Sequence, residues 1–491
     1  MALGGLFKPN SNIYFIGIKG TGVCALAELM HNTGIKCSGS DIPEVFYTDA
    51  ILKELNIPYY ENFDAARITK EIDMIIYSAA YSPDSNPEMF RAQELGIPML
   101  KYTDALGEWS SKFDSTAVCG VHGKTTTTAI CGVLMQAANL PAQILVGSAA
   151  IDFGGRSTLS LGNKYFIAEA CEYRKHFLSF RPKRIILTAV ESDHQDFFPT
   201  YESIRDAFVE FCSLLSQGGE LIYCADDPGA SEIAGIIKQT KSEVKIIPYG
   251  FTAQGEFKIN YYNVKDERAV FSIAGIPGEI KMRLPGRHEA LNAAAGLALT
   301  MQLLRNEGET SLGDDKTESI KNALENFKST KRRSEIIGEA KGIIFMDDYG
   351  HHPTAIKTTL EGIKSFYPDR RLIVSFMSHT YTRTSALLEE FSACFNEADV
   401  MIFHKIYASA RENYKGGVNG KTLHDKASEA RAKACKENEK KETFYYEEYD
   451  DAFKPLCEML KPGDIFVTLG AGNNWPLGVK LFNYFKEADF G

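Results

Sequence analysis

The sequence predicts an α/β chain of three domains, each built on a mostly parallel sheet. Three observations lead there. Short apolar runs rich in Val, Ile, Phe and Tyr alternate with longer stretches of helical periodicity. Run after run ends in a loop of Gly, Ser, His or acidic residues, as the ligand-facing carboxyl ends of an open parallel sheet do. The length, 491 residues, suits about three domains.

Residues 13–18 read as a buried parallel strand, followed by Lys19-Gly20-Thr21-Gly22-Val23 and a helical pattern through Leu26, Leu29 and Met30. A second strand at 36–38 runs into Gly39-Ser40-Asp41. This is a βαβ unit with an acid after its second strand. Its glycines, Gly17, Gly20 and Gly22, stand in the order G-x-x-G-x-G. They suit a cradle for a diphosphate at a helix N-terminus, or equally a tight turn with no ligand. Strands at 74–77 and 99–101 follow, and the first ends in the small-residue loop Ser78 to Pro83.

The stretch from Phe113 to Ala129 carries the clearest chemistry. An apolar run at 116–119 meets Gly120-Val-His122-Gly123-Lys124-Thr125-Thr126, and a helix follows from 126 to 138. Gly120 and Gly123 can turn their N–H groups towards an anion. Lys124 would reach the β/γ-phosphates of a nucleotide and Thr125 would hold Mg²⁺. The strict motif wants Gly at 118, where Val118 stands. The plainer reading is a glycine turn with an exposed lysine. Strands at 165–168 and 185–190 end in Glu169-Ala-Cys171-Glu172 and Glu191-Ser-Asp193-His194-Gln-Asp196. Two neighbouring strand ends of this kind predict a metal–phosphate site beside the loop. Separate helix caps and solvated turns are the alternative.

Strands at 220–224 and 245–249 come next, then a β-rich appendage over 256–284. His288 and Asn292 share one face of the following helix, placed to contact a base or to cap and pack. Segment 305–319 reads as a polar surface excursion. In the last third, strands at 342–346, 372–376, 400–403 and 465–469 run into Asp347–Pro353, Met377–Thr384, His404–Glu412 and Gly470–Asn474. The charged run 426–448 reads as a solvated helix face. His351 and His352 are adjacent and lack the companion ligands of a zinc site.

The net charge of −10 argues against non-specific nucleic-acid or membrane-surface binding. Ten scattered cysteines without C-x-x-C spacing, no apolar run near 20 residues and no leader-like start lead to the expectation of a cytoplasmic protein with reduced thiols.

In this order the motifs resemble the Mur ligase family, over nearly the whole chain. Gly17-Ile-Lys-Gly-Thr-Gly22 with Ser38-Gly-Ser-Asp41 is similar to its UDP-binding domain. Gly120-Val-His-Gly-Lys-Thr-Thr-Thr127 resembles its ATP loop. Asp347-Asp-Tyr-Gly-His-His-Pro-Thr354 and His379-Thr-Tyr-Thr-Arg-Thr384 resemble its C-terminal domain, in the branch that adds L-alanine. The resemblance implies a Rossmann-like UDP-sugar domain over 1–107, a P-loop-like central ATPase domain over 108–330 and a Rossmann-like amino-acid domain over 331–491. It implies an ADP-forming ligase that joins L-alanine to the lactyl carboxylate of UDP-N-acetylmuramate through an acyl phosphate, with domain closure around the substrates.

The roles it implies are specific. UDP-sugar binding falls to Gly20, Thr21, Gly22, Asp41 and Ser78. ATP binding falls to Gly120, His122, Gly123, Lys124, Thr125, Thr126, His288 and Asn292. Two Mg²⁺ ions would be held by Thr125, Glu169 and His194. Tyr349, His351 and Arg383 would hold the amino acid, and Lys124, Glu169, His194, His351 and Arg383 would carry catalysis. The partners are two small substrates, with no nucleic acid and no membrane, in a monomer or homodimer. A ligase for a recycled murein tripeptide, or a nucleotide-switched binding module without turnover, are the competing readings.

The chain departs from the family pattern at Val121, Cys171, Arg174 and Ser334. At the position where later-acting members carry a carbamoylated lysine, Phe208 stands, so no carbamate is expected.

Overall fold

The computed structural model describes residues 7–408, 412, 414, 416–435 and 441–487. They form two compact units. One holds the chain to Val190 with Arg205–Lys258 and Ala294–Ala323; the other holds Glu191–Ile204, Ile259–Ala293 and the chain from Leu324 onward.

The first unit carries two sheets. Five parallel strands lie in the order Tyr59–Tyr60, Lys36–Ser40, Asn12–Ile16, Met74–Tyr77, Met99–Lys101. The order reverses at Asn12–Ile16, and there the glycine turn begins. The second sheet runs Lys245–Tyr249, Glu220–Cys224, Arg184–Leu187, Asp114–Cys119, Tyr165–Glu169, Ala142–Ala150, Arg156–Ser160. Only the last strand is antiparallel. The central strands are continuous apolar runs because helices cover both faces. Asp114–Cys119 is buried from Ser115 onward, and the helix Lys124–Ala137 starts five residues after it.

The second unit carries the six strands Glu335–Ala340, Ile343–Asp348, Asp464–Leu469, Arg371–Phe376, Val400–Phe403, Glu442–Tyr445, parallel except for the first. Its core packs Phe345, Phe466, Leu477 and Leu481 with Ile373 and Leu456. The predicted β-rich appendage is an antiparallel sheet of Ile259–Lys265, Arg268–Ile273 and Ile280–Met282. Its hairpin turns through Asp266 and Glu267, both at φ 51°. Two left-handed residues in a two-residue loop match the strand twist.

Several expectations change. The strands ending at Glu169 and Leu187 are not neighbours: Asp114–Cys119 lies between them, so they flank the loop. The polar segment 305–319 leads into a helix, Asp314–Asn326. The charged run 426–448 is not one solvated face. Gly420–Ala434 is a helix and Glu442–Tyr445 an edge strand, with 436–440 outside the described residues. Within that helix Arg431 is buried and donates to the carbonyls of Phe395 and Ala398. An arginine can sit inside when its fork meets carbonyls that would otherwise lack donors. No described helix is long and apolar enough to cross a membrane.

Arg431→Ala should therefore destabilise the protein by about 2–4 kcal/mol, since buried carbonyls lose their donors and a cavity opens. Denaturant unfolding of the two proteins measures it. A change under about 0.5 kcal/mol would show the side chain to be an ordinary surface charge.

Candidate active site

The glycine turn after the first strand is tight. Gly17 sits at φ 84°, and a Cβ there would lie 2.8 Å from Ser78 Cβ. Ser78, the last of the predicted UDP-sugar residues, thus packs on the turn from the next strand end. Gly20 is the N-cap of the helix Thr21–His31, and Gly22 lies so close to Tyr102 that a Cβ would meet its hydroxyl at 2.6 Å.

Asp41 is placed differently from expectation. It accepts from the N–H groups of Lys19 (2.7 Å) and Ile42 (2.8 Å) and from the Tyr81 hydroxyl (3.1 Å). It is a buried staple of the turn. Lys19, inside the turn, is fully buried. Its ammonium is held by the carbonyls of Ile42 and Glu44 (3.1 and 3.0 Å), Glu61 (2.8 Å) and Asp49 (3.2 Å). Sequence reading missed this cage, because its acids lie 30 and 42 residues downstream.

The glycine loop after Asp114–Cys119 turns at both of its glycines and leads into a helix. Gly120 sits at φ 130°, and a Cβ there would strike the Thr188 hydroxyl at 2.2 Å. Val121 donates its N–H to the Ala189 carbonyl at 2.8 Å. That bond needs only backbone, so valine serves there. Gly123 is the N-cap, at φ 77°, and Lys124, Thr125 and Thr126 open the helix. The Lys124 ammonium lies 2.9 Å from Glu172 and bonds the Gly120 carbonyl. Burial alone would lower the Lys124 pKa, but Glu172, with Cys171 and Glu169 beyond it, outweighs burial and raises it. The lysine is firmly cationic.

Glu169 accepts from the Thr125 hydroxyl and from the Gly147 N–H, both at 2.9 Å. The two predicted metal ligands of this unit are therefore together, as a hard oxygen pair that suits Mg²⁺. Thr21, Gly22, Tyr102, Glu169, Cys171 and His176 help line one cavity of about 180 Å³. The glycine turn and the phosphate loop's acid thus open onto the same space. Arg174 is left-handed at φ 51° and stacks on Tyr173, away from the loop acids. Phe208 is fully buried against Phe177.

In the second unit His288 and Asn292 do lie together, joined by a residue the sequence reading passed over. Glu289 lies 3.4 Å from His288 and accepts from Asn292 at 3.1 Å. Burial would lower the His288 pKa; Glu289 outweighs it and the net shift is upward.

Tyr349, His351 and Arg383 converge as expected. The Tyr349 and His351 rings are 5.1 Å apart, His351 lies 6.3 Å from His379, and Arg383 Nη1 lies 3.3 Å from His379 Nδ1. Arg383 is also bound to Asp193, with Nε and Nη2 both donating to Oδ1 at 3.0 and 2.8 Å. Burial would raise the Asp193 pKa, yet Arg383 holds it well below the usual carboxylate range. His351 is pushed well below its ordinary value by burial and then by Arg383, so it is neutral. His194 follows at φ 54°, its ring 3.8 Å from Asp193. At the start of the same sheet, Ser334 takes the place of a bulkier family residue and donates its N–H to Asp348 at 2.7 Å. Residues 409–411, part of the loop predicted after the strand Val400–Phe403, lie outside the described residues.

Comparison with known proteins identifies the family. The Mur ligase family catalytic domain matches residues 12–114, the Mur ligase middle domain 118–300 and the Mur ligase glutamate ligase domain 332–472. The chain belongs to the Mur ligase family. It is 46% identical over 476 residues to the UDP-N-acetylmuramate–L-alanine ligase of Treponema pallidum (strain Nichols), covering 97% of each chain. The corresponding Borrelia garinii enzyme is 40% identical over 474 residues, 96% of this chain and 98% of that one. The crystal structure of the UDP-N-acetylmuramate-alanine ligase of Thermotoga maritima superposes with a TM-score of 0.73 at 22% identity, over 97% and 99% of the two chains. At that identity the match establishes a shared fold.

The His288–Glu289 pair yields a pH prediction. A raised folded-state pKa means stabilisation that is full below the unfolded value near 6.5 and lost as pH rises through the folded value. Glu289→Gln should bring the His288 titration, followed by the NMR shift of its ring proton, down towards or below about 6.5. An unchanged midpoint would remove Glu289 as the cause.

Proposed function

We propose that this chain joins L-alanine to the lactyl carboxylate of UDP-N-acetylmuramate with cleavage of ATP to ADP and phosphate. The observation that carries the reading is the 46% identity over 97% of both chains with an enzyme of that activity. The side chains of both units suit it. In this reading residues 1–107 take the UDP-sugar, 108–330 the ATP and 331–491 the amino acid.

The reaction begins with a carboxylate attacking a polyanion, so positive charge must be supplied where negative charge collects. Lys124 supplies one cation, and Glu172 keeps it protonated and aimed into the loop. The N–H groups around Gly120 and Gly123 and the helix N-terminus at Lys124 cradle the phosphates. Thr125 and Glu169 fit one Mg²⁺, and His194 stands as the candidate for a second. Such ions supply charge neutralisation on the transferring phosphoryl group. Gly20, Thr21, Gly22 and Ser78 receive the UDP-sugar on a turn stapled by Asp41, and His288 and Asn292 take the adenine.

The acyl phosphate is then attacked by the amine of L-alanine. Arg383 grips the free carboxylate of the acceptor. His351, neutral inside the protein, orients the amine, and Tyr349 closes the pocket.

Lys124→Ala should lower kcat by about 100- to 1,000-fold in a folded protein. Near-normal turnover would remove the loop from catalysis. Phosphate release should require L-alanine, with glycine and L-serine weaker by about 10- to 200-fold, the range for one small group in a pocket. A competition between L-alanine and L-alanyl-γ-D-glutamyl-diaminopimelate, read by product mass, tests the branch: a dominant tripeptide product would reassign it. Because Phe208 is sealed among aromatic rings, added bicarbonate should leave the rate unchanged. A strong bicarbonate requirement would mean a carbamate elsewhere.

A further inference from the structure

The guanidinium of Arg383 has two edges that can hold a carboxylate. The side edge, Nε with Nη2, is committed to Asp193 Oδ1. The end edge, Nη1 with Nη2, is bonded to no acid among the described residues: Nη1 lies 3.3 Å from the His379 ring nitrogen and 3.5 Å from its carbonyl oxygen. Arg383 and Asp193 are both buried, with side chains 7% and 3% exposed. A long arginine side chain with one edge clamped loses most of its rotational freedom before any ligand arrives.

The same carboxylate has a second task. Asp193 Oδ1 accepts the backbone N–H of His194 at 2.7 Å. His194 sits at φ 54°, a conformation that costs a non-glycine residue energy and persists only when its surroundings fix it. Its carbonyl is held in turn by the N–H groups of Phe197 and Phe198, at 2.8 and 2.7 Å. One oxygen atom therefore fixes both the acceptor-side arginine and the backbone of the candidate metal ligand.

We propose that Asp193 is a positioning residue for the acceptor step: it acts through Arg383, presenting the end edge of the guanidinium to the carboxylate of the incoming amino acid and holding that grip in register with His194. The inference rests on the reading of Arg383 as the acceptor's carboxylate ligand. A different arrangement uses the same atoms. Asp193 could be an internal stand-in for the acceptor carboxylate, displaced when L-alanine binds. The two make opposite predictions.

The test uses the full-length enzyme with Asp193→Asn, Asp193→Ala, Arg383→Ala and the double variant. KM and kcat are measured for L-alanine, ATP and UDP-N-acetylmuramate in turn. ADP formed in a single turnover without L-alanine is measured beside them. Positioning predicts a rise in KM for L-alanine of about 10- to 100-fold in Asp193→Ala, the worth of one hydrogen bond to a charged group. Asp193→Asn, which keeps an acceptor oxygen, should fall between the two. KM for ATP and UDP-N-acetylmuramate should change far less than KM for L-alanine, a split that general loss of structure would not give; a loss in the alanine-free turnover smaller than the loss in alanine use reports the second contact of Asp193, to His194. In the Arg383→Ala background, Asp193→Ala should add no further penalty in KM for L-alanine, because that effect runs through the arginine.

A fall in KM for L-alanine would overturn the proposal in favour of the stand-in. Equal losses in every substrate and in the alanine-free turnover would reduce the pair to a structural one, and additive penalties in the double variant would sever Asp193 from Arg383. Should Asp193→Ala melt at assay temperature, the isosteric Asp193→Asn decides by the same split. A wild-type enzyme that forms no product with L-alanine would overturn the ligase reading, whatever the variants do.

Discussion

The ammonium of Lys124 and the carboxylate of Glu172, 2.9 Å apart and both largely out of water, set the geometry that the candidate site depends on. Neither charge could be buried alone. An isolated ammonium in such a place would lose its proton, and an isolated carboxylate would gain one. Together they fix the lysine as a cation and fix where it stands. The pair in turn depends on strand register. Val118 is opposite Glu169 in parallel pairing, so the loop that leaves Cys119 and the acids that follow Glu169 emerge side by side. A slip of one residue would turn Glu169 to the other face of the sheet and separate Thr125 from its carboxylate.

The same logic is used again in each parallel sheet. A strand ends, the chain turns, and the next helix begins with its N–H groups pointing back over the strand end. What differs is how each turn is held. In the first sheet the holding is done by charge: Asp41 binds the turn's backbone, and Lys19 is locked into a cage of oxygens from three later segments. In the second it is done by close contact, with Gly120 pressed against Thr188 and Gly147 against Glu169. In the sheet of the second unit it is done from the preceding segment. Arg332, itself left-handed, donates to Asp347 and to the carbonyls of Gly470 and Gly472, while Ser334 binds Asp348. Parallel strand ends bring ligand groups together for free; the turns that carry them still have to be immobilised one by one.

Much of this was legible in the sequence. The interior strands are unbroken apolar runs, and their ends announce themselves by glycine, histidine and acid. That is why Met74–Tyr77, Glu220–Cys224 and Val400–Phe403 were placed to the residue. The edge strands divide: Met99–Lys101 and Lys245–Tyr249 were read, and three others were not. Tyr59–Tyr60, Arg156–Ser160 and Glu442–Tyr445 are short, half-exposed and polar, as edges must be to avoid pairing with another chain, and so they resemble loops. The candidate site divides in the same way. Residues whose chemistry depends on local spacing, such as Gly120, Lys124, Thr125 and the Tyr349–His351 pair, were readable. The distant partners that hold such residues were not: Glu61 for Lys19, Gly147 for Glu169, and Asp193 for Arg383 across 190 positions. Glu289 was missed for a different reason. Between a histidine and an asparagine that both suggest base contact, a helical glutamate reads as solvent-facing unless its burial is known.

The Asp193–Arg383 pair shows why such partners matter more to geometry than to stability. Taking two full charges out of water costs several kcal/mol for each ion, and their mutual attraction does little more than offset it. Two apolar side chains of similar volume would stabilise that region at least as well. An ion pair in such a place is therefore poorly explained as glue. What it supplies that an apolar pair cannot is direction. A guanidinium clamped along one edge has its other edge aimed, and a carboxylate that also binds its neighbour's N–H has its own backbone fixed. The strained φ of His194 fits this account, because strain survives only where several contacts hold a residue at once. The energy of the pair is spent on orientation, and orientation is what a reaction between a short-lived acyl phosphate and a small amine requires.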